Sequence, residues 1–192
     1  MHTTSPIQTL NINLYSGPGV GKSVLAARLF VALKMKGINA GQVSEYAKEL
    51  VYLNIVHETP QKTIVLEQLR RQAMLQGKVA VVITDAPVPL SLVYSKGALH
   101  EELKALVREQ TEGWRSLDVL LSRNVTNSYE TAGRYQSAAE AQQFHEKEVA
   151  PFVRGYCAGQ GLLELPVSRA LPALQSRIYR ELNAFNLAAA GA

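Results

Sequence analysis

Five short segments of the chain carry the apolar pattern of β-strands. Residues 9–15 (TLNINLY) alternate between polar and apolar side chains and lead into a glycine-rich turn, which predicts a first strand. Residues 79–84 (VAVVIT) form a continuous apolar run, as is typical of a parallel strand buried on both faces. The other predicted strands lie at about residues 41–44, 117–122 and 162–167.

Helical patterns separate these strands. Residues 22–36 repeat leucine at helical spacing and are followed by Gly37, which predicts a helix that ends there. Further helices are predicted at about residues 46–56, 60–76, 99–111, 137–156 and 170–185. Strands that alternate with helices indicate one doubly wound α/β domain over residues 1–192, with a five-stranded parallel sheet flanked by helices.

Two of the predicted helices begin at recognisable capping sequences. Thr59 and Pro60 suggest an N-cap followed by proline at the first helical position. Ser137 and Glu140 form the two ends of a capping box.

The composition is that of a globular enzyme. Hydrophobic residues make up 47% of the 192 residues and charged residues 19%, which argues against disorder. Cys157 is the single cysteine, so no internal disulfide can form, and we expect a reducing, cytoplasmic environment. No signal peptide is recognisable at the N-terminus. The longest apolar stretch, residues 24–35, contains Arg28 and Lys34, so we expect no membrane association.

A phosphate-binding loop follows the first predicted strand. Residues 16–23 (SGPGVGKS) match the P-loop pattern, with Ser16 in place of its first glycine. Glycines let successive backbone N–H groups curl around a phosphate, and the following helix points its positive end to the same place. Lys22 would bridge the β- and γ-phosphates of ATP, and the Ser23 hydroxyl would ligate Mg²⁺. The predicted nucleotide-binding residues are Gly17, Pro18, Gly19, Val20, Gly21, Lys22 and Ser23.

Two carboxylates follow predicted strands at the same edge of the sheet as this loop. Asp85 ends the strand VAVVIT, where a carboxylate would hold the magnesium ion directly or through water. Glu45 follows the second strand, where it could orient an acceptor hydroxyl or take its proton. The alternatives are a turn aspartate at Asp85 and a helix-start glutamate favoured by the helix dipole at Glu45.

A polar stretch lies between a predicted strand and a capped helix. The segment from Arg123 to Arg134 (RNVTNSYETAGR) has two arginines and a glycine and no apolar periodicity. Such a segment, extending over about residues 123–136, would form a mobile lid whose arginines reach the transferring phosphoryl group. Solvated loop arginines are the alternative. With no guanine-recognition NKxD sequence in this small chain, these features favour a kinase over a GTPase.

Positive charge is concentrated in the half that contains the loop. The net charge is +4; residues 1–96 carry ten Lys/Arg and five Asp/Glu, and residues 97–192 carry ten and eleven. Binding of ATP alone accounts for such an excess. A polyanionic acceptor such as nucleic acid is the alternative, because basic surface attracts phosphate backbones.

Several strings of residues together resemble a known family. These are NLYSGPGVGKS, VSEYAKELVY, EQLRRQ, VVITDAPVPLSLVY and the segment with Tyr129 and Gly133-Arg134. Over about residues 9–165 the chain resembles phage-encoded P-loop kinases, often labelled AAA-type ATPases and related to nicotinamide-riboside and deoxynucleoside kinases. Within that group it is similar to the 5-hydroxymethyluracil DNA kinases, which phosphorylate the hydroxymethyl group of the base in DNA.

The resemblance implies ATP and Mg²⁺ as cofactors and DNA as the substrate. It implies that Asp85 holds the metal, that Glu45 or Asp85 activates the hydroxyl, and that Arg123 and Arg134 are lid arginines. The acceptor side would include Arg70 and Arg71, with Lys48 as a further contact to the DNA backbone. Candidate stacking platforms for an extruded base are Tyr46, Tyr52, Tyr94 and Tyr129. The chain departs from the common pattern at Ser16 and at Ala86, where a serine is frequent.

Two other functions use the same residues. A kinase acting on a nucleoside, nucleotide or nicotinamide riboside would share the loop, the carboxylates and the lid, but would enclose a smaller acceptor. A P-loop ATPase acting as a switch would need no acceptor pocket and would hydrolyse ATP slowly until a partner stimulated it.

Overall fold

The computed structural model describes residues 7–123 and 137–190, and its centre is a five-stranded parallel sheet. The strands are β1 (Leu10–Tyr15), β2 (Ala40–Val43), β3 (Val81–Thr84), β4 (Arg115–Ser122) and β5 (Leu163–Pro166). They lie in the order β2-β3-β1-β4-β5, and every neighbouring pair is parallel. The predicted fold class and strand number are therefore confirmed.

Helices cover both faces of this sheet. They are α1 (Lys22–Met35), α2 (Tyr46–Tyr52), α3 (Gln61–Ala73), α4 (Gly97–Thr111), α5 (Ala138–Phe144), α6 (Ala150–Tyr156) and α7 (Val167–Ala190). A 3-10 helix (Val88–Tyr94) follows β3, and a π-helical turn (His145–Val149) joins α5 to α6. In the part of the chain that the structure describes, no helix is both long enough and apolar enough to cross a bilayer.

The region between α2 and α3 differs from the prediction. The helix predicted to reach residue 56 ends at Tyr52, because Asn54 adopts the left-handed conformation with φ 59°. The Ile55 N–H then donates to the Leu50 carbonyl at 3.0 Å, which closes the helix end in the manner of a Schellman motif. The predicted N-cap at Thr59 is wrong, since its hydroxyl donates to the Ile55 carbonyl at 2.8 Å and α3 begins at Gln61.

The capping box at the other predicted helix start is confirmed. The Glu140 N–H donates to the Ser137 hydroxyl at 3.3 Å, and the Ser137 N–H donates to the Glu140 carboxylate at 2.7 Å. Two backbone N–H groups at the start of α5, which have no acceptor within the helix, thereby form hydrogen bonds.

The two faces of β1 have different chemistry. Its residues Leu10, Ile12 and Leu14 are buried against α1 and α7 in the largest apolar cluster of the described residues. The alternate residues Asn11 and Asn13 are also buried, but on the face that α3 covers. Side chains of successive strand residues point to opposite faces, so β1 buries leucine and isoleucine on one face and two asparagines, followed by Tyr15, on the other.

The carboxyl ends of the strands lie at one edge of the sheet. At this edge β1 continues into the phosphate loop, β2 into Glu45, β3 into Asp85 and β4 into Arg123. Ligands of open parallel sheets bind in the crevice outside these strand ends.

The docking of α7 onto the sheet can be tested at Leu174, which is fully buried in the apolar cluster. We expect Leu174→Ala to lower the free energy of unfolding by about 2–5 kcal/mol, because the packed layer cannot fully close the cavity. Urea denaturation measures the loss. The matched control, Ser176→Ala, changes an exposed residue of the same helix and should stay within about 0.5 kcal/mol of the wild type. Equal effects of the two changes would contradict the packing of α7 described above.

Candidate nucleotide-binding site

The phosphate loop connects β1 to α1 and has the strand–loop–helix context that its pattern requires. Gly19 has φ 75° and Gly21, at the N-cap of α1, has φ 103°, conformations that favour glycine. Val20 is 1% exposed and anchors the loop in the apolar cluster. The backbone N–H groups and the N-terminus of α1 are thus arranged to receive an anion.

Lys22 lies folded over this loop. Its Nζ donates to the Ser16 carbonyl at 2.9 Å and to the Gly17 carbonyl at 3.1 Å, and lies 3.3 Å from the Ser16 hydroxyl oxygen. The Ser16 hydroxyl in turn donates to the Gly17 carbonyl at 2.9 Å. The side chain that departs from the P-loop pattern therefore helps to hold the lysine ammonium at the loop.

Asp85 has the environment expected of a metal-holding carboxylate. The residue is 5% exposed, and its Oδ1 has no hydrogen-bond partner among the described residues. β3, which Asp85 follows, pairs with β1, which leads into the loop. A buried carboxylate oxygen without a donor suits a hard cation such as Mg²⁺, which is commonly held by one or two protein oxygens together with phosphates. Ser23 is exposed in the first turn of α1, where its hydroxyl would be the ligand on the loop side.

Glu45 follows β2 on the other side of Asp85 from the loop, since β3 lies between β2 and β1. It is half-buried at the N-cap position of α2, with extended backbone, and its side chain makes no capping hydrogen bond. The pKa of Tyr94 is raised, first by desolvation and then by the negative charge of Glu45. The Tyr94 ring itself stacks on Phe144, with centroids 5.4 Å apart. The Glu45 carboxylate therefore lies close to the end of the 3-10 helix that follows Asp85.

The structure brings one of the two predicted lid arginines to the loop. The Arg123 guanidinium donates to the Pro18 carbonyl at 3.2 Å. The remainder of the predicted lid, with Tyr129 and Arg134, lies outside the described residues.

The predicted acceptor-side arginines lie in an ion-pair network between α2 and α3. Arg71 donates to both carboxylate oxygens of Glu49, at 2.6 and 2.8 Å, and to Glu67 at 2.8 Å. Its guanidinium also lies 4.8 Å from the centre of the Tyr46 ring. Arg70 pairs with Glu67 as well, and hydrogen bonds from the two arginines lower the pKa of Glu67 to about 2. No hydrogen bond within the described part of the chain joins these residues to the loop.

The remaining acceptor candidates are also on this side. The Lys48 ammonium lies 5.8 Å from the centre of the Tyr52 ring, and Tyr52 is 61% exposed. These two residues stand at the surface of α2.

His145 contacts the loop, although no sequence signal assigned it a role. The Gly17 N–H donates to His145 Nδ1 at 3.0 Å, and a Cβ at Gly17 would stand 2.7 Å from the His145 Cβ. His145 opens the π-helical turn, and such turns are frequent at functional sites. Because Nδ1 accepts this hydrogen bond, the bond requires a neutral imidazole. His145 thus fixes the backbone of Gly17, the first glycine of the loop, and we call this hydrogen bond the brace.

The surroundings of this imidazole favour its neutral form. Burial lowers the pKa of His145 from its ordinary value of 6.5, and the positive charges of Lys22, Arg154 and Arg123 lower it further, against an opposing effect of Glu146.

A titration tests this brace. In the unfolded chain His145 gains its proton near pH 6.5, whereas in the folded chain it does so at lower pH. The stability contribution is therefore complete above the unfolded pKa and is lost as pH falls through the folded pKa, by at most about 1.4 kcal/mol per pH unit. We expect His145→Asn, whose amide oxygen can replace Nδ1 as acceptor, to flatten urea-unfolding stability between about pH 5.5 and 7.5. A pH slope in His145→Asn equal to that of the wild type would contradict this hydrogen bond.

The chain was compared with known proteins. A family model described as an AAA domain matches residues 11–153, from within β1 to within α6. No curated protein is similar enough to match the chain. The matched segment contains the phosphate loop, Glu45, Asp85, Arg123 and the bracing histidine, and it spans well over half of the 192 residues. The protein therefore belongs to the AAA-domain family of nucleotide-binding P-loop NTPases.

Proposed function

We propose that the protein is an ATP-dependent kinase that transfers the γ-phosphate to an acceptor hydroxyl. The observation that carries the proposal is the pair of carboxylates, Asp85 and Glu45, that follow adjacent strands beside the loop. Binding of a nucleotide with its metal ion needs only one carboxylate, and Asp85 is suited to that role. A second carboxylate farther from the loop suits an acceptor hydroxyl, which must be oriented and must lose its proton.

Each residue of the site has its own role in this transfer. Lys22 and the backbone N–H groups of the loop bind and orient the phosphates, and Arg123 lies at the loop where it can add positive charge. Ser23 and Asp85 would hold Mg²⁺, which neutralises charge on the phosphates when bound. Glu45 would accept the proton of the acceptor hydroxyl.

We propose 5-hydroxymethyluracil in DNA as the acceptor. This choice is supported by the resemblance to DNA kinases and by the positive excess of residues 1–96. A base that is stacked in duplex DNA must swing out before its hydroxymethyl group can reach a phosphate loop.

One structural observation supports a small-molecule acceptor as the second candidate. Arg70 and Arg71 are already paired with Glu67 and Glu49, so that contact with a DNA backbone would compete with these ion pairs. A nucleoside, nucleotide or nicotinamide riboside would need no such contacts.

Phosphate transfer from γ-labelled ATP separates the candidates. The acceptors are single- and double-stranded DNA containing 5-hydroxymethyluracil, the same DNA with thymine, and a panel of free nucleosides, nucleotides and nicotinamide riboside. We expect label in the modified DNA alone, and none with Lys22→Ala, which removes the fixed cation at the γ-phosphate. Label in a free small molecule would overturn the DNA acceptor and retain the kinase. Hydrolysis with no labelled acceptor, stimulated by DNA or a protein, would overturn the kinase in favour of a switch.

Glu45 can be tested separately from nucleotide binding. We expect Glu45→Gln to lower kcat about 10²-fold or more, because the amide cannot accept a proton, while the KM for ATP changes less than about twofold. Steady-state kinetics with the accepted substrate measure both quantities. The control Glu58→Gln alters an exposed carboxylate and should leave both unchanged. A raised KM for ATP with normal kcat would instead assign Glu45 to nucleotide binding.

A further inference from the structure

A cavity of about 430 Å³ lies on the polar face of the sheet, outside the nucleotide site. Its walls come from β1, β4, α3, α4, the 3-10 helix after β3 and the C-terminal end of α6. The residues that line it include Asn13, Tyr15, Gln72, Arg108, Thr111, Glu112, Gly113, Trp114, Ser116, Asp118, Tyr156 and Gln160. Its volume is within the range of small-molecule sites.

The cavity extends along the sheet from the start of β4 to the carboxyl end of β1. Thr111, Glu112, Gly113 and Trp114 directly precede β4, and Gln160 precedes β5, so these lining residues stand where strands begin. The phosphate loop, Glu45 and Asp85 stand where strands end. Other lining residues stand near those strand ends: Tyr15 directly precedes the phosphate loop, and Val88 and Pro89 follow shortly after Asp85. The cavity therefore spans the polar face between the two edges of the sheet, although no residue of the loop lines it.

A carboxylate is held at the floor of this cavity. Asp118 is 7% exposed, and its Oδ1 accepts from the Asn13 amide at 2.9 Å and from the Tyr15 hydroxyl at 3.1 Å. Both hydrogen bonds that it accepts within the described residues end on that one oxygen. Burial of a carboxylate is unfavourable unless its charge is compensated, and two neutral donors compensate it only in part.

A second acceptor in the same cavity has no donor. Gln72 is 2% exposed; its Nε2 donates to Asn11 Oδ1 at 3.0 Å and lies 3.3 Å from Asn13 Oδ1. Its Oε1 is buried with no hydrogen-bond partner in the described part of the chain. A buried amide oxygen without a donor has lost its hydrogen bonds to water and gained none in the protein, which lowers stability.

The rest of the lining favours a small, positively charged ligand that donates hydrogen bonds and has a planar or compact shape. Asp118 and Glu112 contribute two negative charges and Arg108 one positive charge, so the lining is acidic on balance. Trp114 and Tyr156 add aromatic surface, which attracts cations and stacks on planar groups.

From these features we propose that the cavity binds a small organic cation with N–H donors, of the guanidinium or primary-ammonium class. The cation pairs with Asp118, while its apolar part contacts Trp114 and Tyr156. This site is independent of the kinase proposal, because it shares no residue with the phosphate loop or the acceptor side.

The chain provides its own reporter for this test, since Trp114 is its single tryptophan and lines the cavity. The full chain is titrated at pH 8 with methylguanidinium and with methylurea, its neutral analogue of similar shape, and Trp114 emission is followed. We expect a saturable change with methylguanidinium at an affinity at least about tenfold above that for methylurea, because only the cation pairs with Asp118.

A matched pair of variants assigns the effect. Asp118→Asn should lose roughly tenfold or more in affinity for methylguanidinium. Glu109→Gln removes an exposed carboxylate of α4 that does not line the cavity and should bind as the wild type does. Equal binding of methylurea, no emission change with either compound, or unchanged affinity in Asp118→Asn would each overturn the proposal.

Measuring the affinity of the wild type for methylguanidinium at several pH values tests the pairing with Asp118 even if Asp118→Asn fails to fold. Burial raises the pKa of Asp118, whereas the hydrogen bonds from Asn13 and Tyr15 lower it in part. Burial also raises the pKa values of Tyr15, Tyr156 and Cys157, the last to about 12, so these groups remain protonated below pH 8.

The affinity for methylguanidinium should therefore fall as pH is lowered from 8 toward the raised pKa of Asp118, and the weak binding of methylurea should not change. Glu112 is the other carboxylate of the lining and Arg108 its fixed positive charge. The dependence should persist in Glu112→Gln; its disappearance there, or a pH-independent affinity in the wild type, would overturn the assignment to Asp118.

Discussion

The pairing of β1 with strands on both of its sides is the constraint on which the rest of the structure depends. Its backbone is paired with β3 through residues 10–13 and with β4 through residues 10–15. This pairing on both sides fixes where β1 ends relative to β3 and β4, and it therefore fixes where the phosphate loop begins. They also fix Asp85, because it follows directly after the residue of β3 that pairs with Asn13.

The same strand divides the molecule into two chemical layers. On one side, leucine and isoleucine side chains of β1 are buried under α1 and α7, which supplies most of the apolar packing beside the loop. On the other side, buried amides and Asp118 form hydrogen bonds with each other, with α3 and with the turn that follows it. A fully satisfied polar layer makes a core specific, whereas each buried polar group without a partner lowers stability. The two faces of one strand thus differ in chemistry, and the proposed ligand cavity lies on the face that carries the buried polar groups.

Sequence patterns predicted the sheet, its parallel strands and the loop, because these depend on local periodicity and on a spacing of glycines that the backbone requires. They failed where one residue acts on another far along the chain. His145 and Gly17 are 128 positions apart, and no periodicity links a histidine to a backbone N–H at that distance. They also failed where local alternatives compete: Asn54 ends α2 early by adopting a left-handed conformation, and the Thr59 hydroxyl bonds backward to Ile55. The pairing of Arg71 with both Glu49 and Glu67 likewise depends on how α2 and α3 meet.

The π-helical turn has a consequence for the phase of the helix that contains it. A buried residue recurs at every fourth position of this segment, at Ala141, His145, Val149, Val153 and Cys157, and Ala150 beside Val149 is buried as well. In a regular α-helix, a repeat of four turns about 40° at each step and would leave the core within a few steps. The Ala150 N–H reaches back five residues to the His145 carbonyl, which widens the turn and rotates the later residues back toward the core. The turn therefore restores the phase of the helix, so that one stripe of side chains contacts the phosphate loop at its beginning and packs with Tyr15 and Leu120 at its end.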